Sequence, residues 1–230
     1  QKFSIMMQLF LLAVAPSIII IIYIYIKDKF EREPLHMLLK TFFLGATISV
    51  GLTFVLGMTL NALLPPLDEK SITDMLIKAF LVVALVEEFS KYLVVRYFAQ
   101  KNKELDEPFD GIVYAVMVSM GFATLENVLY VFVYGYETGV LRAFTAVPAH
   151  ATFAILMGYY MGKAKFSQQR FLLNMTGLLV ATLFHGAYDF FLFIKSIPGI
   201  TIGAFASLVI GVLLSRKVIK AHQKKSLFKP

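Results

Sequence analysis

The sequence predicts an all-α fold, a polytopic bundle of transmembrane helices, and three observations carry that prediction. Of the 230 residues, 58% are hydrophobic, and the mean hydropathy is +0.73, which exceeds that of a soluble domain of ordinary composition. The apolar residues fall in long unbroken runs, not in alternation, and about 20 such residues are what a helix needs to cross ~30 Å of hydrocarbon. Basic residues collect in alternate connections between the runs, as they do where loops face the cytoplasm. At ~20 residues per span the chain holds about seven crossings, at most eight. Residues 1–230 therefore read as one transmembrane domain, with its function in or beside the bilayer.

The runs are 5–26, 35–64, 72–98, 111–134, 143–161, 171–194 and 200–214. The second is long and interrupted by Gly45, Gly51 and Gly57, so a tilt, a kink or an interfacial turn is expected there. The first contains Ala13-Val14-Ala15, but its apolar stretch outruns a signal-peptide core and its basic flank comes after it, so it reads as a retained helix.

One set of connections holds Lys27, Lys29 and Arg32, then Arg96, Lys101 and Lys103, then Lys163, Lys165 and Arg170, and finally the tail residues Arg216, Lys217, Lys220, Lys224, Lys225 and Lys229. The other set holds only Lys2, Lys70, Arg142 and Lys195. Fifteen against four places the N-terminus outside, the C-terminus inside and a basic cytoplasmic tail at 216–230. An excess of Lys and Arg over Asp and Glu, 22 against 15, is thus a topogenic signal and not a nucleic-acid footprint. With no Cys there is neither a disulfide, nor a thiolate metal site, nor a cysteine nucleophile. Walker, Rossmann, HExxH and GxSxG motifs are also missing.

Ionisable side chains inside a span cost at least ~2.5 kcal/mol each, so each calls for a partner or a function. Here Glu87, Glu88 and Lys91 lie in the third run, Glu126 and Asn127 in the fourth, His150 in the fifth, and His185 and Asp189 in the sixth. Lys91 is one helical turn from both glutamates, and His185 one turn from Asp189. Adjacent helical positions diverge by ~100°, so one glutamate faces the site and the other supports it. At ~1.5 Å per residue these groups fall ~9 to 22 Å below the outer ends of their helices. That common layer predicts a water-filled cavity open to the extracytoplasmic side.

Peptide hydrolysis needs an activated water, a stabilised oxyanion and a proton donor for the leaving amine, and carboxylates with imidazoles supply all three. Glu87, Glu88, Glu126, His150, His185 and Asp189 are the catalytic candidates, with Lys91 and Asn127 in support. His150 and His185 together with a carboxylate also match a hydrolytic Zn²⁺ site with an open fourth position. Both chemistries stay open from the residues alone, and no organic cofactor is implied.

The ordered motifs resemble a known family, the PrsW proteases, within the wider superfamily of CAAX-type membrane proteases. The run Glu87-Glu88-Phe89-Ser90-Lys91 is similar to that family's EExxK motif. Phe109 to Tyr114, Gly121 to Asn127, Pro148-Ala149-His150, Met157 to Ala164, His185 to Asp189 and the region from Tyr25 to Met37 fit it too. The resemblance implies a polytopic protease of the bacterial plasma membrane that makes the first, extracytoplasmic cut in a single-pass, membrane-anchored anti-sigma factor. It implies that Glu87, Glu88 and His185 are essential. In the wider superfamily a glutamate and a histidine activate water while the last motif stabilises the oxyanion. Glu126 stands here where that second motif has a histidine, and His150 is the natural substitute. Asp110-Gly111 reads as a helix cap.

Two other classes compete. A transporter or receptor uses buried acids as an ion or substrate site, but favours internal pseudo-symmetry that this chain lacks. A binding protein recognises a partner's membrane helix through small residues, such as Gly158 and Gly162 at GxxxG spacing.

Overall fold

The computed structural model describes residues 2–226 and 228. Among these the chain is helical throughout, with no strand. Helix α1 spans Lys2–Lys27, α2 spans Leu35–Leu63, α3 spans 72–99, α4 spans Asp110–Tyr134, α5 spans Tyr136–Phe144, α6 spans Ala146–Lys165, α7 spans Arg170–Phe193 and α8 spans Ile202–Lys224. Six stretches are long and apolar enough to cross a membrane: α1, α2, α4, the α5–α6 pair, α7 and α8. The seventh expected span, α3, is as long as the rest but carries Asp74, Lys78, Glu87, Glu88, Lys91 and Arg96, so its polarity derives from the site it bears.

Local chemistry sets the ends. Pro65 and Pro66 come directly after α2 and cannot extend it. Ser71 caps α3, its Oγ accepting the Asp74 N–H at 3.2 Å. Gly135, at φ +85°, closes α4 in a conformation that L side chains rarely adopt. Pro148 sits in the first turn of α6, where its missing N–H breaks no helical bond. The fifth span, expected from 143, is thus a short helix, a turn at Thr145 and a second helix.

Helices α4 and α6 form the centre, most of their residues being buried. Against them pack α1 and α2 on one side and α7 and α8 on the other, and α3 lies on α7. Outward-facing residues such as Ile19, Phe54, Leu63 and Phe171 are exposed and apolar, as a lipid-facing surface requires. The second run passes through a π-helical turn, Gly45–Ser49, and contains no interfacial break. Of its glycines only Gly45 is needed for packing. A Cβ there overlaps the Val118 carbonyl, and one at Gly121 overlaps the Phe42 carbonyl, so α2 and α4 cross backbone to backbone; Gly51 and Gly57 face open space. Gly45→Val and Gly121→Val are each expected to destabilise the chain by about 1–3 kcal/mol through overpacking, read as a lowered Tm in detergent, with Gly51→Val unchanged.

Two features go beyond the sequence reading. The segment 216–230, read as a basic tail, is helical as far as Lys224, so the last helix runs ten residues past the apolar stretch that ends at 214. Its end is tied back by Gln223, which donates to the Lys27 carbonyl at 2.5 Å, and by His222 against the Tyr159 ring. Lys229 lies outside the described residues. Gly158 and Gly162 do not face a partner helix: a Cβ on either meets the backbone at Gly111 or Pro108, so this small-residue stripe seats α4 on α6.

Candidate active site

In α3, π-helical turns at Lys78–Leu85 and Val95–Ala99 flank the stretch Val86–Val94. Each turn accommodates an extra residue and re-aims the side chains beyond it, a device frequent at functional sites. It points Glu87, Glu88 and Lys91 together into the bundle, where all three are buried.

The Lys91 ammonium is the hub. It donates to Glu88 Oε1 at 2.8 Å, to Glu87 Oε2 at 3.3 Å and to His150 Nδ1 at 3.2 Å, and lies 4.1 Å from the centroid of the Phe122 ring. An ammonium has no acceptor, so His150 Nδ1 accepts and its Nε2–H is left to donate to Glu126 Oε2, 3.0 Å away. His185 spans two carboxylates, with Nδ1 2.9 Å from Glu88 Oε1 and Nε2 3.4 Å from Asp189 Oδ2. The Phe153 ring stacks on His185 at 4.9 Å and fixes its plane. The two imidazoles meet edge to face with centroids 5.3 Å apart.

Seven of the eight sequence-derived residues therefore join one connected network drawn from α3, α4, α6 and α7, and Asn127 is linked to it only through Arg142 of α5. The glutamate pair, left open by the sequence, divides clearly. Glu87 lines a cleft of about 650 Å³ together with Glu126, His150, His185 and Asp189, whereas Glu88 is fully buried beneath it. The cleft sits at the end of the bundle where α4 and α7 finish and α6 and α8 begin. Asn127 lies apart from the cleft: its Nδ2 donates to the Ala13 carbonyl at 2.9 Å and joins α4 to α1.

Arg142 of α5 is the residue that sequence reasoning missed. Its Nη2 donates to Glu126 Oε2 at 2.8 Å and its Nε to Asn127 Oδ1 at 2.9 Å, and its guanidinium lies over the Tyr130 ring. Asp110 caps no helix of its own. Its Oδ2 accepts the Asp106 and Glu107 N–H groups and so folds the preceding loop.

Ligand atoms from Glu87, Glu88, His150 and His185, one from each, lie within 4.8 Å of one another, a set able to hold a metal ion. Glu88 Oε2 is buried with no hydrogen-bond donor among the described residues, as fits a carboxylate with a ligand position to spare. Three of these four residues are bonded to the Lys91 ammonium, so a cation held by all four takes over contacts that Lys91 makes.

Carboxylates and imidazoles on the wall of a cleft within a membrane helix bundle, with a charge-balancing ammonium behind them, define a hydrolase of the membrane interior. A family model described as PrsW family intramembrane metalloprotease matches residues 33–215. The chain belongs to the PrsW family and is a multi-pass membrane endopeptidase. It is 41% identical over 202 residues to the protease PrsW of Geobacillus kaustophilus, which covers 87% of this chain and 86% of the relative. The protease PrsW of Clostridioides difficile is 38% identical over 197 residues, 82% of this chain and 81% of the relative. That of Bacillus subtilis is 36% identical over 182 residues, 78% and 80% of the two chains. No solved structure matches the chain. Membership in a protease family removes the transporter and binding-protein readings.

Proposed function

We propose that this protease makes the first, extracytoplasmic cut in a single-pass, membrane-anchored anti-sigma factor, in the plasma membrane of a bacterium. The observation that carries the reading is the convergence of Glu87, Glu88, His150 and His185 beside a cleft able to receive a peptide segment. The cleft lies at the same end of the bundle as the N-terminus of α1, which the distribution of basic residues assigns to the outside. Residues 1–230 act as a single transmembrane protease domain.

In the mechanism we infer, Glu87 is the general base. It takes a proton from the attacking water as the C–O bond forms at the scissile carbonyl, then passes that proton to the amide nitrogen as the C–N bond breaks. His150 and His185 line the cleft beside the water, and either ring donates to the developing oxyanion only by exchanging one of the carboxylate partners that its ring nitrogens hold here. Glu126 and Asp189 hold the two rings at their Nε2 atoms, and Glu88 with Lys91 fixes the floor. Zn²⁺ is the metal these donors suit, held by His150, His185 and a glutamate; when bound it supplies Lewis acidity and lowers the pKa of water.

Reconstitution with a single-pass anti-sigma factor tests this. Cleavage on the extracytoplasmic side of the substrate, lost with a chelator and restored by Zn²⁺, is the expected result. Failure to cut any membrane-anchored candidate rejects the substrate assignment, and cleavage insensitive to chelation rejects the metal.

A further inference from the structure

At the opposite end of the bundle the connection 28–34, the loop 106–109 and the first turn of α4 bring five acidic side chains together. Asp28, Glu33, Glu107 and Asp110 are buried and Glu31 is half-buried at the rim. None of the five forms an ion pair among the described residues. Lys165, the nearest ammonium on α6, donates instead to the Asn102 carbonyl.

Two of the buried carboxylates share a pattern. Asp110 commits Oδ2 to the Asp106 and Glu107 N–H groups, at 2.8 and 2.7 Å, and its Oδ1 has no partner among the described residues. Glu33 accepts the Tyr114 hydroxyl on Oε2, and its Oε1 has no partner among the described residues. Both residues are essentially inaccessible, with exposures of 0% for Asp110 and 2% for Glu33. Oxygen atoms from Glu31, Glu33 and Asp110 lie within 4.8 Å of one another. Buried carboxylate oxygens this close, with no donor from another residue, are costly unless a cation or a proton shared between them offsets the repulsion.

We propose that Glu31, Glu33 and Asp110 form a second metal site, an oxygen-only site for a hard divalent cation such as Ca²⁺ or Mg²⁺. The donor set contains no nitrogen or sulfur, which separates it chemically from the imidazole-containing cluster at the cleft. Asp110 precedes Glu126 on α4 by sixteen residues, about 24 Å of helix, so the two sites share no ligand. The cation ties the α1–α2 connection to the start of α4 at the end of the bundle where Ser226 and Gln223 also anchor the chain's last helix.

Terbium luminescence tests this on the full chain in detergent. The sequence has no Trp, and Tyr114 is bonded to a proposed ligand, so Tb³⁺ in this site is excited through tyrosine. Saturable emission is expected in the wild type, displaced by Ca²⁺ or Mg²⁺. Glu33→Gln with Asp110→Asn should lose it, and Glu31→Gln, at the half-exposed rim, should bind at least about tenfold more weakly with its fold intact. Glu87→Gln should keep the component that Glu31→Gln weakens, since any emission it removes comes from Tb³⁺ at the cleft, beside Tyr130 and Tyr188. A wild type without saturable tyrosine-sensitised emission overturns the proposal and leaves a proton shared by Glu33 and Asp110 as the alternative. Equal emission from wild type and Glu31→Gln overturns it as well.

Discussion

Glu87→Gln is expected to lower kcat for peptide cleavage by about 10²–10⁴-fold, the range for loss of a general base, with Tm in detergent close to that of the wild type. Glu87 lines the cleft and makes one bond to Lys91, at 3.3 Å. The amide keeps the shape of the carboxylate but cannot accept a proton from water. Lys91 retains its shorter, 2.8 Å bond to Glu88, so the buried charge stays paired. Glu88→Gln is expected to differ in kind. Glu88 Oε1 accepts from both Lys91 and His185 Nδ1, so an amide in its place removes the buried negative charge that both groups face and lowers both Tm and activity. Proteolysis assays and thermal unfolding on the two variants separate these outcomes. An active Glu87→Gln enzyme assigns the proton transfer to another group.

The spans were legible because a bilayer demands ~20 apolar residues and leaves few alternatives. The polar site was legible for the converse reason: Glu87, Glu126, His150, His185 and Asp189 are residues that no lipid-facing helix retains without cause. What escaped the sequence lay in local register and in contacts between helices. The choice between Glu87 and Glu88 turns on π-helical stretches that shift the facing of α3, and these carry no compositional mark. Arg142 read as a loop charge because nothing in its surroundings indicates that α5 folds back over Glu126. Gly158 and Gly162 have the spacing of an outward docking stripe, and only the close approach of Gly111 shows that the stripe faces inward. The helical continuation of α8 past 214 escaped because hydropathy falls at Arg216 while the helix continues on an amphipathic face, with Ile219 and His222 buried.

Lys91→Met is expected to be the most destabilising single change at the site, by about 3–5 kcal/mol, the range for removing one member of a buried ion pair. Lys91 is 1% exposed and bonds two carboxylates and an imidazole, so its loss leaves Glu87 with no bonded cation and Glu88 with His185 alone. Methionine nearly matches the volume of the aliphatic stem, which keeps the cavity contribution small. The cause is therefore electrostatic, and a second substitution can relieve it. Lys91→Met combined with Glu87→Gln removes one negative charge and should recover part of the lost Tm, while activity remains absent because the proposed base is gone. Addition of Zn²⁺ gives an independent readout: a divalent cation on the same donors replaces the missing ammonium charge and should raise the Tm of Lys91→Met more than that of the wild type. A Lys91→Met chain as stable as the wild type, with or without metal, means that Glu87 and Glu88 are not both ionised in the folded protein, and the charge-balanced floor proposed for this site is then wrong.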